Sequence, residues 1–437
     1  MSAAELVALI GCDLGAIARG RMVPAAELSE HLTNGVGWVP ANHALTPLGG
    51  LAEPNPFGST GDLRLLPDQL TRASVGADPG ETPLELLLCD IVETDGAPWS
   101  CCPRAFLTGA LARLRAETGA LLTSSFEHEF QLSLDGPPAL AFSLEAARRA
   151  EPFASAVMGA LLEAGTEPER FFAEFAPHQF EIPVAPAAGL AAADRGVIVR
   201  EVIREVARRH GLRASFAPLS DPAAAGNGVH IHLSLHDAQG RPLLYGPGRP
   251  GGLSELAERF AAGVLAHAGA LTAICAPSPV SGERLRPHHW SAGALCLAEG
   301  NREALLRIPP RVTLGGGDPG AQTRLEYRGA DAAGNPYLAL GAIVLAGLAG
   351  IREELPGPPI LQVDPATLTP EETAAYGVGA LPGTLVEALE ALEADESCRD
   401  WLGPRLLEAY LSVKRAECSE CAELSLEEAC ARYAGIY

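Results

Sequence analysis

Residues Val229 to Leu235 read VHIHLSL, an alternation without a fault. Val229, Ile231, Leu233 and Leu235 fall on one side, and His230, His232 and Ser234 on the other. That is the period of a β-strand with one apolar face. Three further segments share the pattern. Phe126 to Phe130 (FEHEF) puts Glu127 and Glu129 on one face. Phe172 to Ile182 (FAEFAPHQFEI) carries Glu174, a Pro-containing turn and then Glu181, and Thr323 to Arg328 (TRLEYR) sets Arg324, Glu326 and Arg328 opposite Leu325 and Tyr327. Each strand must bury its apolar side, which leaves a sheet with one charged face. A solvated strand face carries Lys, Thr and mixed polar residues; these four carry Glu, His and Arg almost exclusively, and no Lys. Two carboxylates about 6–7 Å apart on one strand repel and are costly to desolvate. Divalent cations resolve the conflict: oxygen ligands with one or two imidazoles suit Mg²⁺ or Mn²⁺. Neighbouring arginines suit phosphate or carboxylate gripped bidentately. Together these are the apparatus of phosphoryl transfer. No GxxxxGK[ST] loop is present, so a P-loop enzyme is excluded.

The rest of the chain bounds this reading. Its 437 residues are 47% hydrophobic and carry a formal charge of -22. The acidic balance argues against nucleic acid or an anionic membrane as partner, while a local arginine cluster still admits an anionic substrate. The start, MSAAELVALIGCDLGA, lacks the basic region and cleavage pattern of a signal peptide. The apolar run from Tyr337 to Ile351 is too short to span a bilayer and follows Asn335-Pro336, which makes it a core helix entered through a Pro turn. Ten cysteines without a secretory signal imply reduced thiols and a cytoplasmic protein. Cys418, Cys421 and Cys430 have zinc-like spacing but no second close pair or nearby His, and read as helix-borne thiols. Residues 1–95 read as a small domain with a strand over Leu84 to Ile91, and residues 96–437 as a large one opening on an amphipathic helix from Pro103 to Glu117. Arg204, Arg208 and Arg209 read as a solvated helix face, and His128 as a packed core residue.

Five ordered blocks resemble the glutamine synthetase family of the bacterial type I kind: FEHEF, E-x-x-P-x-Q-x-E (Glu174 to Glu181), GNGVHIHLSL, NREALLRIP and RLEYRGADAAGNPYLAL. The resemblance implies an α+β fold, with a small N-terminal β-grasp-like domain and a catalytic domain of antiparallel sheet and flanking helices. It implies a funnel-shaped site completed by a neighbour's N-terminal domain, in a homo-oligomeric dodecamer of two hexameric rings. Position by position, it puts one metal on Glu129, Glu174 and Glu181 and a second on Glu127, His230 and Glu326. Two Mg²⁺ or Mn²⁺ per site and ATP as co-substrate follow from it. His232, Ser234 and Arg324 fall near the nucleotide; Arg302 and Arg307 hold its phosphates; Arg284 and Arg328 grip carboxylates of the acid, with Gly226 as a backbone contact. Arg302 and Arg328 carry the catalytic roles at the transferring group and the acid.

The chain departs from the family pattern where ammonium would bind. The flap Glu six residues after the position of Arg284 is here Trp290, and the N-terminal Asp aligns with Asn34. Both changes remove negative charge; an indole and an amide suit a larger amine with apolar bulk. Ala225 replaces an Asn that contacts the amino acid, so the acid need not be glutamate itself. A nucleotide-side Lys is replaced near Ala321, and Ala366 stands where a regulatory tyrosine is modified. His288 and His289 adjoin Trp290 as candidate bases for the amine or as flap packing. The expectation is an ATP-dependent ligase joining the side-chain carboxylate of glutamate, or a similar acid, to an amine other than ammonia. Ordinary ammonia-dependent synthesis and a non-catalytic relative are the alternatives; the second predicts loss of metal ligands, and all six are present.

Overall fold

The computed structural model describes residues 5–76, 81–287 and 291–437. Trp290, His288 and His289 lie outside the described residues.

The N-terminal part is built on a six-stranded sheet. Its strands run in the order Ala18–Pro24, Leu6–Cys12, Leu84–Glu93, Leu63–Pro67, Val36–Trp38, with Ala73–Val75 also paired to Leu84–Glu93. Leu6–Cys12 and Leu84–Glu93 run parallel, with Ala8 opposite Leu86, and helix Leu28–Asn34 follows the first hairpin. Helix Pro103–Thr118 then opens the larger part. The Cys102 side chain caps its first turn, Pro103 sits at its first position and Gly119 closes it in the left-handed conformation at φ 72°.

The second sheet has ten strands. Its main path runs Ile360–Leu361, Ala294–Glu299, Ala304–Ile308, Leu325–Tyr327, Val229–His236, Leu121–Leu132, Gln179–Ile182, Phe172–Ala173. The centre is antiparallel. One edge differs from the sequence-based expectation: Ala294–Glu299 runs parallel to both Ala304–Ile308 and Ile360–Leu361. Helix Pro336–Arg352 is the core helix the sequence predicts, with residues 336–350 all buried. It crosses helix Glu255–Ala266 closely because two glycines meet there: a Cβ on Gly263 would lie 2.1 Å from the Ala346 carbonyl oxygen and 2.7 Å from the Gly350 nitrogen. Arg204 departs from the solvated face read from sequence. Its guanidinium lies 5.4 Å from the centre of the Phe216 ring and 2.9 Å from Glu201, because the end of helix Leu190–Arg209 turns this side inward. His128 is buried, and burial pushes its imidazole down to about 3.

Two buried clusters join the sheets. Arg104 pairs with Asp68 at 2.6 Å, Asp90 at 2.9 Å and Asp194 at 2.9 Å, and the Tyr337 hydroxyl donates to Asp194 at 2.7 Å. Asn335 Nδ2 donates to the carbonyls of Cys12 and Asp13 at 3.2 and 2.8 Å, and the Tyr437 hydroxyl to that of Gly15 at 2.6 Å. All ten cysteines are free thiols, and among the described residues Cys418, Cys421 and Cys430 join no group able to hold a metal. Among the described residues no helix is long and apolar enough to cross a membrane.

Candidate active site

The charged face of the second sheet is the floor of a cavity of about 620 Å³. Strand register places the side chains. His230 pairs across the ladder with Glu127, Glu129 with Glu181, and Glu326 with both His232 and Arg307. Directly opposed residues share a face at the shortest cross-strand spacing, so four strands deliver one acidic and imidazole cluster. Glu174 reaches it from the turn linking Phe172–Ala173 to Gln179–Ile182. Arg284, Arg302, Arg307, Arg324 and Arg328 line the same cavity, as does Gly226.

The carboxylates divide into two groups. Arg328 Nη1 donates to Glu326 Oε1 at 2.5 Å and Arg307 Nη1 to Glu326 Oε2 at 2.7 Å. Burial works against its charge, but Arg328, then the two imidazoles and Arg307, hold the Glu326 carboxyl down to about 2. Glu127 is also held well below its usual range: burial opposes this, and His232 and His230 outweigh it. Glu174 and Glu181 go the other way. Burial, then the charge of Glu129, raises Glu174 to about 7. Burial and four surrounding carboxylates raise Glu181 well above its ordinary value. Glu129 accepts from the Gly228 N–H at 2.8 Å and from Gln179 Nε2 at 3.1 Å.

The imidazoles are arranged differently from the expected ligand sets. His230 Nδ1 stands 3.6 Å from Glu127 and 4.0 Å from Glu326, while its Nε2 is 3.8 Å from Glu129, so it bridges the two groups. His232 Nε2 is nearer, 2.9 Å from Glu127 Oε1, and ligand atoms of Glu127, His232 and Glu326 lie within 4.8 Å of one another. Arg324 Nε donates to His232 Nδ1 at 3.2 Å, which turns Nε2 toward the acids.

The donor set fits divalent cations. Five carboxylates line one cavity, two of them driven toward protonation by burial and crowding, and the buried Arg307 Nε has no hydrogen-bond partner among the described residues. A hard cation answers the first and an anionic ligand the second. Arg284 is buried; its Nη2 donates to the Gly329 and Ala330 carbonyls at 3.1 and 2.9 Å, and Nε lies 3.7 Å from Asp331. Gly226 is required by close approach: a Cβ there would lie 2.1 Å from the Pro218 oxygen and 2.7 Å from Arg284 Cγ.

Two expected residues are not brought into the cavity. Ser234 is two positions beyond His232 on the strand, and its hydroxyl donates to the Thr323 carbonyl at 3.5 Å. Asn34 ends helix Leu28–Asn34 as an exposed residue whose carbonyl accepts from Arg64 Nε at 2.8 Å. Conversely, Gln179 had no assigned role in the sequence reading, yet its amide also donates to the Gly226 carbonyl at 2.9 Å and to Asn227 Oδ1 at 3.0 Å. The block containing Glu174 and Glu181 includes it, which was the available signal. Phe142 and Phe175 line the cavity without any periodic signal in the sequence.

Residues 100–433 match the family model described as the glutamine synthetase catalytic domain, and residues 1–99 match that of the glutamine synthetase N-terminal domain. Gamma-glutamylpolyamine synthetase GlnA3 of Streptomyces coelicolor is 36% identical over 441 residues, covering 99% of this chain and 93% of that protein. The glutamine synthetase of Methanocaldococcus jannaschii is 32% identical over 402 residues, covering 90% of this chain and 85% of its own. A solved structure described as a novel glutamine synthase homolog superposes with a TM-score of 0.93 at 48% identity, covering 100% of this chain and 99% of that one. Apo GmaS superposes with a TM-score of 0.81 at 29% identity, covering 97% and 96% of the two chains.

Proposed function

This chain belongs to the glutamine synthetase family, and from that premise we propose that it joins an amine other than ammonia to the side-chain carboxylate of glutamate or a similar acid. The family's members are ATP-dependent ligases that use divalent metal ions and are typically oligomeric. The observation that carries the reading is the single cavity holding five glutamates, two histidines and five arginines. That set supports phosphoryl transfer to a carboxylate better than any reaction needing one acid–base pair.

Glu129, Glu174 and Glu181 would hold one Mg²⁺ or Mn²⁺; Glu127, His230 and Glu326 would hold a second, with His232 close enough to share it. Bound there, the cations neutralise phosphate oxygens and the charge that develops on them. Arg302, Arg307 and Arg324 bind the ATP phosphates, and Arg302 stabilises the group in flight. Ser234 lies on the nucleotide side. Arg284 and Arg328 hold the acid by its carboxylates, and the Gly226 carbonyl fixes its other end. A side-chain carboxylate oxygen attacks the γ-phosphorus and ADP leaves. The amine nitrogen then attacks the acyl carbon, loses a proton, and phosphate departs.

Trp290 and Asn34 support an amine larger than ammonia, since each stands where a carboxylate would attract NH₄⁺. The name of one relative, gamma-glutamylpolyamine synthetase, speaks of an amine substrate for that protein. Asn34 lies outside its own chain's cavity, which supports a homo-oligomer in which it faces a neighbour's site. Phosphate release with glutamate, ATP and Mg²⁺ tests the reading. Turnover with organic amines well above that with ammonium is expected; efficient turnover with ammonium and none with the amines sinks it.

A further inference from the structure

The cavity has a second, apolar lining. Phe142 and Phe175 are 50% and 54% exposed, with ring centres 6.4 Å apart and planes tilted by 42°. Both line the cavity beside Glu174, as do Ala223, Ala224 and Ala225. Half-exposed phenyl rings at a cavity wall are costly in water, and they mark contact with an apolar group.

The backbone holds one ring there under strain. Phe142 has φ 57°, a left-handed conformation unfavourable for a bulky side chain. Two contacts fix it. Its N–H donates to the Glu174 carbonyl at 3.4 Å, and the next residue, Ser143, caps helix Leu144–Arg149 by accepting from Ala146 N at 3.0 Å. Strain of this kind persists where surrounding structure imposes it, and it concentrates at ligand clamps. Phe175 follows Glu174 directly in the chain. Both rings are thus tied to the same acidic residue from two segments.

We propose that Phe142 and Phe175 form the subsite for the hydrocarbon arm of the amine, and that the preferred substrate is an aliphatic or arylalkyl monoamine. The inference rests on the amine-ligase reading above. It chooses a monoamine for a reason of charge. The glutamates lining the cavity are Glu127, Glu129, Glu174, Glu181 and Glu326, and all five are assigned to cations. No carboxylate of this chain's cavity is left to pair with a distal ammonium, so a diamine of equal length would desolvate a charge without a partner.

The test is a chain-length series from methylamine to pentylamine, with 1,5-diaminopentane, spermidine and ammonium alongside, read as kcat/KM from phosphate release. Each added methylene buried on the rings is expected to raise kcat/KM about fourfold. The variants are Phe142→Gly, which accepts a left-handed φ without penalty, and Phe175→Ala. In each, the ratio of kcat/KM for pentylamine to that for methylamine is expected to fall about tenfold or more. A ratio measured on one sample is independent of the fraction folded. A flat series in the parent enzyme, an unchanged ratio in both variants, or 1,5-diaminopentane or spermidine exceeding pentylamine overturns the inference while leaving amine ligation standing. Turnover with ammonium alone overturns both.

Discussion

Glu174 and Glu326 line one cavity and shift in opposite directions, to about 7 and about 2. The difference is local. Glu326 touches two guanidiniums, whereas Glu174 is buried beside the charge of Glu129. In the metal-free protein Glu174 therefore binds more protons folded than unfolded between about pH 4.5 and 7. Stability must fall as pH rises through that window, because the unfolded chain releases its proton first. Glu181 extends the loss to higher pH. A cation displaces these protons. The rise in Tm caused by Mg²⁺, relative to protein in EDTA, is expected to grow from pH 5 to pH 8. Thermal melts at four pH values check this, and a rise that is flat with pH contradicts the crowding of Glu174 and Glu181 around a cation. The acids and imidazoles were legible because alternation alone puts them on one face. Phe142 was not, because a single left-handed residue in a loop leaves no periodic trace. His178, at φ 55°, marks a second such position.

At the level of elements, the antiparallel centre of the second sheet could be read from four alternating strands, and the start of the core helix from Asn335-Pro336. Strand partners could not, since alternation fixes a face and not a neighbour. The parallel edge formed by Ala294–Glu299 and Ala304–Ile308 had no such signal. Asn335 shows the same limit in one residue. Its Oδ1 accepts from the N–H groups of Tyr337 and Leu338 at 2.9 and 3.1 Å, a cap that local sequence predicts. Its Nδ2 meanwhile serves the Cys12 and Asp13 carbonyls, more than 300 residues away in sequence, which nothing local foretells. Asn335→Ala removes both. The lost cap costs about 1 kcal/mol and the carbonyls left buried add about 1–3 kcal/mol. Asn335→Asp keeps the acceptor and loses the donor, so chemical denaturation is expected to rank it between the parent and Asn335→Ala. An Asn335→Asp variant as stable as the parent would mean that the contact with the N-terminal sheet contributes nothing.

Over the whole molecule, the N-terminal sheet is fastened to its own catalytic part through Arg104, Asn335 and Tyr437, yet Asn34 is exposed and outside that part's cavity. Under the proposed function, an N-terminal domain held this way, with Asn34 exposed away from its own chain's cavity, would serve a site in another subunit. The composition, with a charge of -22, carries no trace of such an arrangement, because totals do not record which surfaces meet. The consequence is measurable by mixing two damaged chains. Glu326→Ala removes a cavity acid, and Asn34→Arg places a cation where the amine would enter. Each alone is expected to have little activity. Reassembled in equal amounts, about a quarter of the sites would combine an intact cavity with an intact neighbouring N-terminal domain, and activity should recover to about that share of the parent. Recovery no greater than the sum of the separate variants, with assembly confirmed by sedimentation, would mean that each chain's site is complete in itself. Asn34 would then have no part in choosing the amine, and that choice would rest on Trp290 and the two phenylalanines of the same chain.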